Sequence, residues 1–255
     1  MHKKCPLNIQ SETGKLEAVL VHYPGAEVEN MTPRNAQRAL YSDILNLSIA
    51  RKEYDRLLAV LKKTTDVYEV TDLLTGVLEN EELKENLIRK ICAAEQATEY
   101  IDHLLSLPAP RLAQILIEGL PLQVDTLTDF LREEYYALKP LYNSYFTRDP
   151  SAVIGNNALV CKMANSVRVR ESLIVDAIFN SGLFFSCNVM NSHKLSHNDP
   201  SVRMEGGDIL VVRDDILLVG NGMRTSSRGI DLLAKEFCKA GSGKKHIIVQ
   251  QLRIA

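Results

Sequence analysis

The sequence predicts an α/β chain of repeated ββαβ units with a helical segment set into its N-terminal half. Two observations carry most of that reading. The order strand, strand, helix, strand occurs twice within residues 141–255, and residues 76–140 show helical periodicity in place of strand signals. A third is the start of the chain, where residues 1–75 read strand, turn, helix, strand, as part of one further unit. The expected organisation is therefore a partial first module over 1–75, a helical insertion over 76–140 and two ββαβ modules over 141–255.

Each element has a local reason. "EAVLVHYPG" is a β-rich run closed by Pro24-Gly25. Thr32-Pro33 offers an N-cap followed by proline at the first helical position. Ala50, Tyr54, Leu57, Leu58 and Leu61 recur at helical spacing, and "DVYEV" (66–70) reads as the next strand. The insertion contains "NEELKENLIRKICAAEQATEYIDHLL", "RLAQILIEGL" and "TLTDFLREEYYAL", broken at Pro108, Pro110 and Pro121. "DPSAVIGNNALVCKM" reads as a hairpin around Gly155-Asn156-Asn157, followed by a helix at 168–180 and the apolar run "LFFSCNV". "DILVVRDDILLVG" repeats the hairpin around Arg213-Asp214-Asp215, followed by a helix near 227–239 and the strand "HIIVQQL".

Composition narrows the function classes. The chain has 255 residues, is 45% hydrophobic and 24% charged, and carries a net charge of −2. It has no basic tract for nucleic acid and no apolar run near the roughly 18–20 residues of a membrane span. "MHKKCPLNIQ" lacks the hydrophobic stretch of a secretory signal. Five scattered cysteines without a CxxC argue for reduced thiols, so a soluble cytoplasmic protein is expected.

Chemistry enters through the repeat. A shift of 56 residues superimposes the two modules without a gap through most of the helix, placing Asp149 on Glu205 and Arg168 on Arg224. Repeats of this size suggest a ring or stack of equivalent units, in which equivalent positions converge on one centre. Two carboxylates and two arginines there can neutralise each other as a structural network. Alternatively they can hold a ligand with a cation at one end and a carboxylate at the other, since paired carboxylates suit a guanidinium fork and paired arginines suit a carboxylate.

"LYNSYFTRDP" (141–150), "RVRE" (168–171), "MEGGD" (204–208) and "RTS" (224–226), with the opening "ETGKLEAVLVHYPG…MTPRN…LYSDI", resemble the arginine deiminases of the guanidine-modifying superfamily. The resemblance implies a five-bladed α/β-propeller of ββαβ modules that hydrolyses L-arginine to L-citrulline and ammonia, with no metal or cofactor. It implies that Asp149 holds the substrate guanidinium and that Glu205 lies beside it, assisting orientation and proton movement. Arg168, Arg224 and Asn143 would hold the substrate α-carboxylate, and Phe146 would pack on its aliphatic stem. Asp208 would accept hydrogen bonds that keep the glycine turn in shape, the glycines allowing positive φ or close backbone approach. A homo-oligomer, dimer or larger, is implied as well.

The same resemblance implies a cysteine nucleophile near the C-terminus and a His-x-Asp segment beyond the third-module strand. This chain ends at "IIVQQLRIA", before both, which leaves the ring about two blades short. The expectation is therefore a truncated, catalytically incomplete chain. Cys161 and Cys187 sit in apolar strands, Cys92 and Cys238 on helices and Cys5 near a mobile terminus, so none reads as the nucleophile. His193 and His197, spaced i,i+4, read as loop residues and not as zinc ligands. Gly222 and Met223 stand where the family often has serine and glutamate, which bears on specificity for arginine. The alternatives are an amidinotransferase, an agmatine deiminase-like enzyme (disfavoured by the paired arginines) and a non-catalytic arginine-binding or regulatory pseudo-enzyme.

Overall fold

The computed structural model describes residues 4–31, 44–123, 125–131, 135–197, 199–239 and 246–252. Contacts divide the chain into two compact units. Met1–Leu16, which holds the short strand β1 (Cys5–Pro6), joins Thr147–Ala255 in one; Glu17–Phe146 forms the other. Among the described residues no helix is long and apolar enough to cross a membrane.

In the unit 17–146, β2 (Ala18–Val21) runs parallel to β3 (Asp66–Glu69), and the connection contains the helix Leu47–Thr64. Asn46 starts that helix by accepting from the Ser48 and Ile49 amides at 3.0 and 3.2 Å. Ala50, Tyr54, Leu58 and Leu61 are half-buried, whereas Leu57, on the margin of the stripe, is 49% exposed. The expected cap at Thr32-Pro33 lies outside the described residues. Helices Val70–Leu78, Glu81–Glu95, Ile101–Ser106, Ala109–Glu118 and Leu127–Leu131 follow. Leu74, Val77, Ile88, Ile91, Leu112 and Leu116 supply their buried core. Pro108 and Pro110 start a helix instead of breaking one: Pro108 is the N-cap of Ala109–Glu118 and Pro110 lies in its first turn, where no amide donor is missed. The antiparallel pair β4 (Leu120–Pro121) and β5 (Tyr136–Leu138) was not anticipated, since two or three residues carry no readable alternation.

The other unit holds two sheets of one topology. β6 (Ser151–Ile154) pairs antiparallel with β7 (Asn157–Val160). The helix Val169–Asn180 and β8 (Phe185–Ser186), which pairs with β1, lead to β9 (Asn188–Asn191), parallel to β7. β10 (Ile209–Arg213), β11 (Ile216–Asn221), the helix Ser227–Lys239 and β12 (His246–Gln251) repeat the order. The first hairpin turns on Gly155-Asn156 alone, since Asn157 already pairs with Ile154. Gly155 has φ +60°, the left-handed conformation that glycine adopts without strain. The second turns on Asp214-Asp215, because Arg213 belongs to β10.

The gapless shift of 56 does not hold for the elements. From the strand and helix starts, β10 follows β6 by 58 (209 − 151) and β11 follows β7 by 59 (216 − 157), while the helices (227 − 169) and closing strands (246 − 188) are offset by 58. Asp149 stands two residues before β6 but Glu205 four before β10, because the turn Gly206–Asp208 is interposed. A β-bulge between Val211 and Arg213 adds the further residue to the second hairpin.

Candidate functional site: an acidic pair around a guanidinium

Asp149 and Glu205 meet because their backbones do. The Gly206 amide donates to the Asp149 carbonyl at 2.8 Å. A Cβ on Gly206 would collide with the Arg148 carbonyl and stand 2.9 Å from the Ser151 carbonyl; one on Gly207 would stand 2.5 Å from Asp149 Oδ1. Close approach is what this pair of glycines provides, since neither has the positive φ seen at Gly119, Gly155 and Gly182.

Three neighbours that sequence reasoning passed over fix this crossing. Arg148 donates to the carbonyls of Gly206 (3.1 Å) and Ile209 (2.7 Å) and pairs with Glu12 at 2.8 Å, and Glu12 in turn accepts from the Val211 amide. Fully buried Thr225 accepts from the Glu205 amide at 3.1 Å. Ser226 accepts from the Arg203 amide and, as a helix cap, from the Gly229 amide, both at 3.1 Å. "FTRDP" and "RTS" contain Arg148, Thr225 and Ser226, but the repeat marks only their acid and arginine positions.

The four charges of the repeat do converge. Arg168 Nη1 donates to Asp149 Oδ2 at 2.7 Å and lies 4.0 Å from Glu205 Oε2; Arg224 Nη1 lies 3.7 Å from the same Glu205 oxygen. Glu171, which had not been singled out, holds the other edge of Arg168 through Nε (3.1 Å) and Nη2 (2.7 Å). Arg168, Glu171 and Glu205 are buried, whereas the Arg224 side chain is 62% exposed. The two arginines are therefore unlike: one is clamped between carboxylates and the other reaches from solvent.

Burial opposes the charges of Arg168, Glu171 and Glu205. It would lower the Arg168 pKa, but Glu171 and Asp149 overrule it and hold the guanidinium above its ordinary range. Burial raises the carboxyl of Glu205, with Arg168 and Arg224 opposing, and that of Glu171, with Arg168 opposing. Glu205 Oε2 is buried and has no hydrogen-bond partner among the described residues. The centre thus already binds one guanidinium and retains an unused acceptor beside it.

Asn143 (buried) and Phe146 (46% exposed, its ring 4.4 Å from Tyr145) belong to the unit 17–146. Asp208 Oδ2 is buried without a hydrogen-bond partner among the described residues, so the bracing role expected of it is replaced by Arg148, Thr225 and Ser226.

Neither Cys161 nor Cys187 offers a thiolate. Cys161 is buried, and burial together with Glu205 and Asp149 pushes its thiol far up. Cys187 is half-buried in the single residue between β8 and β9, and burial raises it too. Cys92 is buried, and Cys5 sits in paired β1 instead of on a loose end. The Cys238 side chain lies outside the described residues. His193 lies in the single turn Ser192–Leu195, and exposed His197 has φ +48°. His197 and Asp199 do spell one His-x-Asp, upstream of "MEGGD". There Asp199 is exposed and accepts from the Ser201 amide (2.8 Å) and hydroxyl (2.7 Å), a turn contact, not a site contact.

The unit 17–146 holds a charged cluster that no motif announced. Buried His22 places Nδ1 3.0 Å from Glu69 Oε1 and Nε2 3.1 Å from Glu27 Oε1. Burial disfavours the imidazolium, but the two carboxylates overrule it and raise the pKa from 6.5 to about 9.

Known proteins resemble this chain in sequence and in fold. A family model described as arginine deiminase matches residues 37–253. The arginine deiminase of Listeria innocua serovar 6a is 32% identical over 96% of this chain, that of Bacillus cytotoxicus 32% over 97% and that of Oenococcus oeni 32% over 98%. The chain spans 63% of the length of each of these relatives. A dimethylarginine dimethylaminohydrolase solved as an adduct with S-methyl-L-thiocitrulline aligns with a TM-score of 0.50 at 12% identity, over 94% of this chain and 63% of that one. The enzyme from Pseudomonas aeruginosa complexed with citrulline gives the same score and identity over 95% and 63%. These two likenesses concern the fold. By the extent of the family match, the chain is a member of the arginine deiminase family.

Proposed function

We propose that this chain carries the guanidinium-binding part of an arginine deiminase-type site, which in the complete enzyme converts L-arginine and water to L-citrulline and ammonia. The observation that carries the reading is the pair of half-buried Asp149 and buried Glu205, already set around one guanidinium and keeping a Glu205 oxygen that accepts no hydrogen bond among the described residues. A ligand guanidinium takes the place of Arg168 Nη1 on Asp149 and donates to Glu205 Oε2. Glu171 keeps its hold on Arg168 through Nε and Nη2 during that exchange, which leaves Nη1 for the ligand carboxylate. Exposed Arg224 is the second carboxylate ligand.

The chemical step breaks a C–N bond: a thiolate adds to the guanidinium carbon, ammonia leaves, and water releases citrulline from the amidino-thioether. In this reading the nucleophile and the His-x-Asp pair that moves the protons are not among these residues, and the raised thiols of Cys161 and Cys187 weigh against either as the nucleophile. In this reading the two ββαβ sheets are consecutive blades of an incomplete five-bladed α/β-propeller, residues 1–75 part of another and 76–140 an insertion. The enzyme works as a cytoplasmic homo-oligomer.

Titration calorimetry of the 255-residue protein tests the reading. L-Arginine is expected to bind, agmatine (which has no carboxylate) to bind at least tenfold more weakly, and Asp149→Ala to abolish arginine binding. Citrulline is not expected to be released. Equal affinity for agmatine, wild-type affinity in Asp149→Ala, or citrulline release by this protein alone would each contradict it.

A further inference from the structure

We propose that the open edge of β9 is a docking site for an extended acidic peptide, which adds to the β6–β7–β9 sheet as a further strand. The residues that line it are not those of the guanidinium site.

Hydrogen bonds along residues 184–191 identify the open edge. The Cys5 and Leu7 amides donate to the Phe184 and Ser186 carbonyls at 2.8 and 3.2 Å, and the Asn188 amide donates to the Asn156 carbonyl at 3.0 Å. Residues 184, 186 and 188 therefore turn their backbone toward the β1 segment and β7. Backbone groups alternate in direction along a strand, so those of Cys187, Val189 and Asn191 turn the other way. Among the described residues, β7 is the one strand beside β9. The far edge thus presents donors and acceptors to any chain laid along it.

A groove follows this edge. It consists of two cavities, about 530 and 290 Å³, which share Asn180 and Val189 as lining residues. Lys4, Ser186 and Asn188 line the first, and Lys194, Leu195 and Glu236 the second. A sheet edge supplies main-chain hydrogen bonds to any sequence, and the cavities beside it select side chains. Each cavity holds a lysine, against the one carboxylate of Glu236 among their linings, so the groove complements an acidic occupant. Lys194 is 64% exposed and stands 3.6 Å from Asp176 Oδ2, too far for a hydrogen bond, which leaves its donors for a ligand. Side chains two positions apart in an extended peptide fall on one face, about 7 Å from each other. A leucine against Val189 and Leu195, with a glutamate two positions to either side, therefore meets both lysines whichever way the peptide runs.

The probe is an end-blocked, fluorescein-labelled peptide, Thr-Glu-Thr-Leu-Thr-Glu-Thr, and its binding to the whole 255-residue protein is read by fluorescence anisotropy. Saturable binding is expected. Lys4→Gln with Lys194→Gln should weaken it about fivefold, while Lys52→Gln, in the unit 17–146, should leave it unchanged. Methylation of peptide amides leaves the protein intact and separates strand addition from charge attraction. Only alternate amides of an added strand donate to β9. Methylating either the threonine set or the glutamate-and-leucine set should therefore abolish binding, and methylating the other set should spare it. Absence of saturable binding, the same effect from both methylated sets, or indifference to the double lysine variant overturns the proposal. So does self-association of the chain that the peptide reverses, which makes a second copy the occupant.

Discussion

His22 makes a quantitative prediction. Both ring nitrogens face carboxylate oxygens, at 3.0 and 3.1 Å, and only the imidazolium can donate from both. A neutral ring would turn one lone pair against a carboxylate inside a buried site. The folded pKa is raised from 6.5 to about 9, so the stabilisation is fully present below the unfolded value of 6.5 and is lost as pH rises through about 9. At about 1.36 kcal/mol per pKa unit, that rise corresponds to about 3 kcal/mol. Urea unfolding at pH 6.5 and pH 10 should therefore show the wild-type protein losing about 3 kcal/mol more than His22→Gln over this interval. An NMR titration of the His22 ring in the wild-type protein provides a reading that does not depend on the variant folding. A ring that titrates near 6.5, or equal pH dependence in the two proteins, would refute the reasoning.

Gly206→Ala should destabilise the unit by about 1–3 kcal/mol in urea unfolding, because the added methyl meets backbone carbonyls that cannot swing aside. Thr225→Val should cost about 1–3 kcal/mol by leaving the buried Glu205 amide unpaired, and Thr225→Ser should recover most of it. Arg168→Met breaks a buried pair and should cost about 3–5 kcal/mol at pH 7.5. That cost should shrink toward pH 5. Burial already raises Glu171 and Glu205 in the fold, so the folded state takes up protons first and gains stability as pH falls toward the unfolded 4.5. An equal loss at both pH values would contradict the assignment of the cost to uncompensated carboxylates.

The elements of the two modules were legible because their apolar runs and turn residues are local signals. The helix expected near 227–239 is found at Ser227–Lys239, and the strand expected at 66–70 at Asp66–Glu69. Their true offset was not legible: the bulge at Val211 and Arg213 and the turn after Glu205 insert residues that a gapless shift absorbs silently. The acid and arginine positions were recognisable from motifs, whereas Arg148, Thr225 and Ser226 act on backbone 20 to 61 residues away and leave no periodic trace. Glu171 stands within "RVRE" with no sequence signal that separates it from any other helix acid; only the fold shows that it faces Arg168. His22 reads as one polar residue in a strand, and its partners stand 5 and 47 positions away.

The most direct test of the guanidinium site is a crystal structure of this protein with L-arginine bound. The account predicts the ligand guanidinium between Asp149 and Glu205 at hydrogen-bond distance, Arg168 withdrawn from Asp149 but still held by Glu171, and Arg224 turned in from solvent onto the ligand carboxylate. A ligand seated elsewhere, with Arg168 Nη1 still 2.7 Å from Asp149, would show the four charges to be a structural network and contradict the central claim.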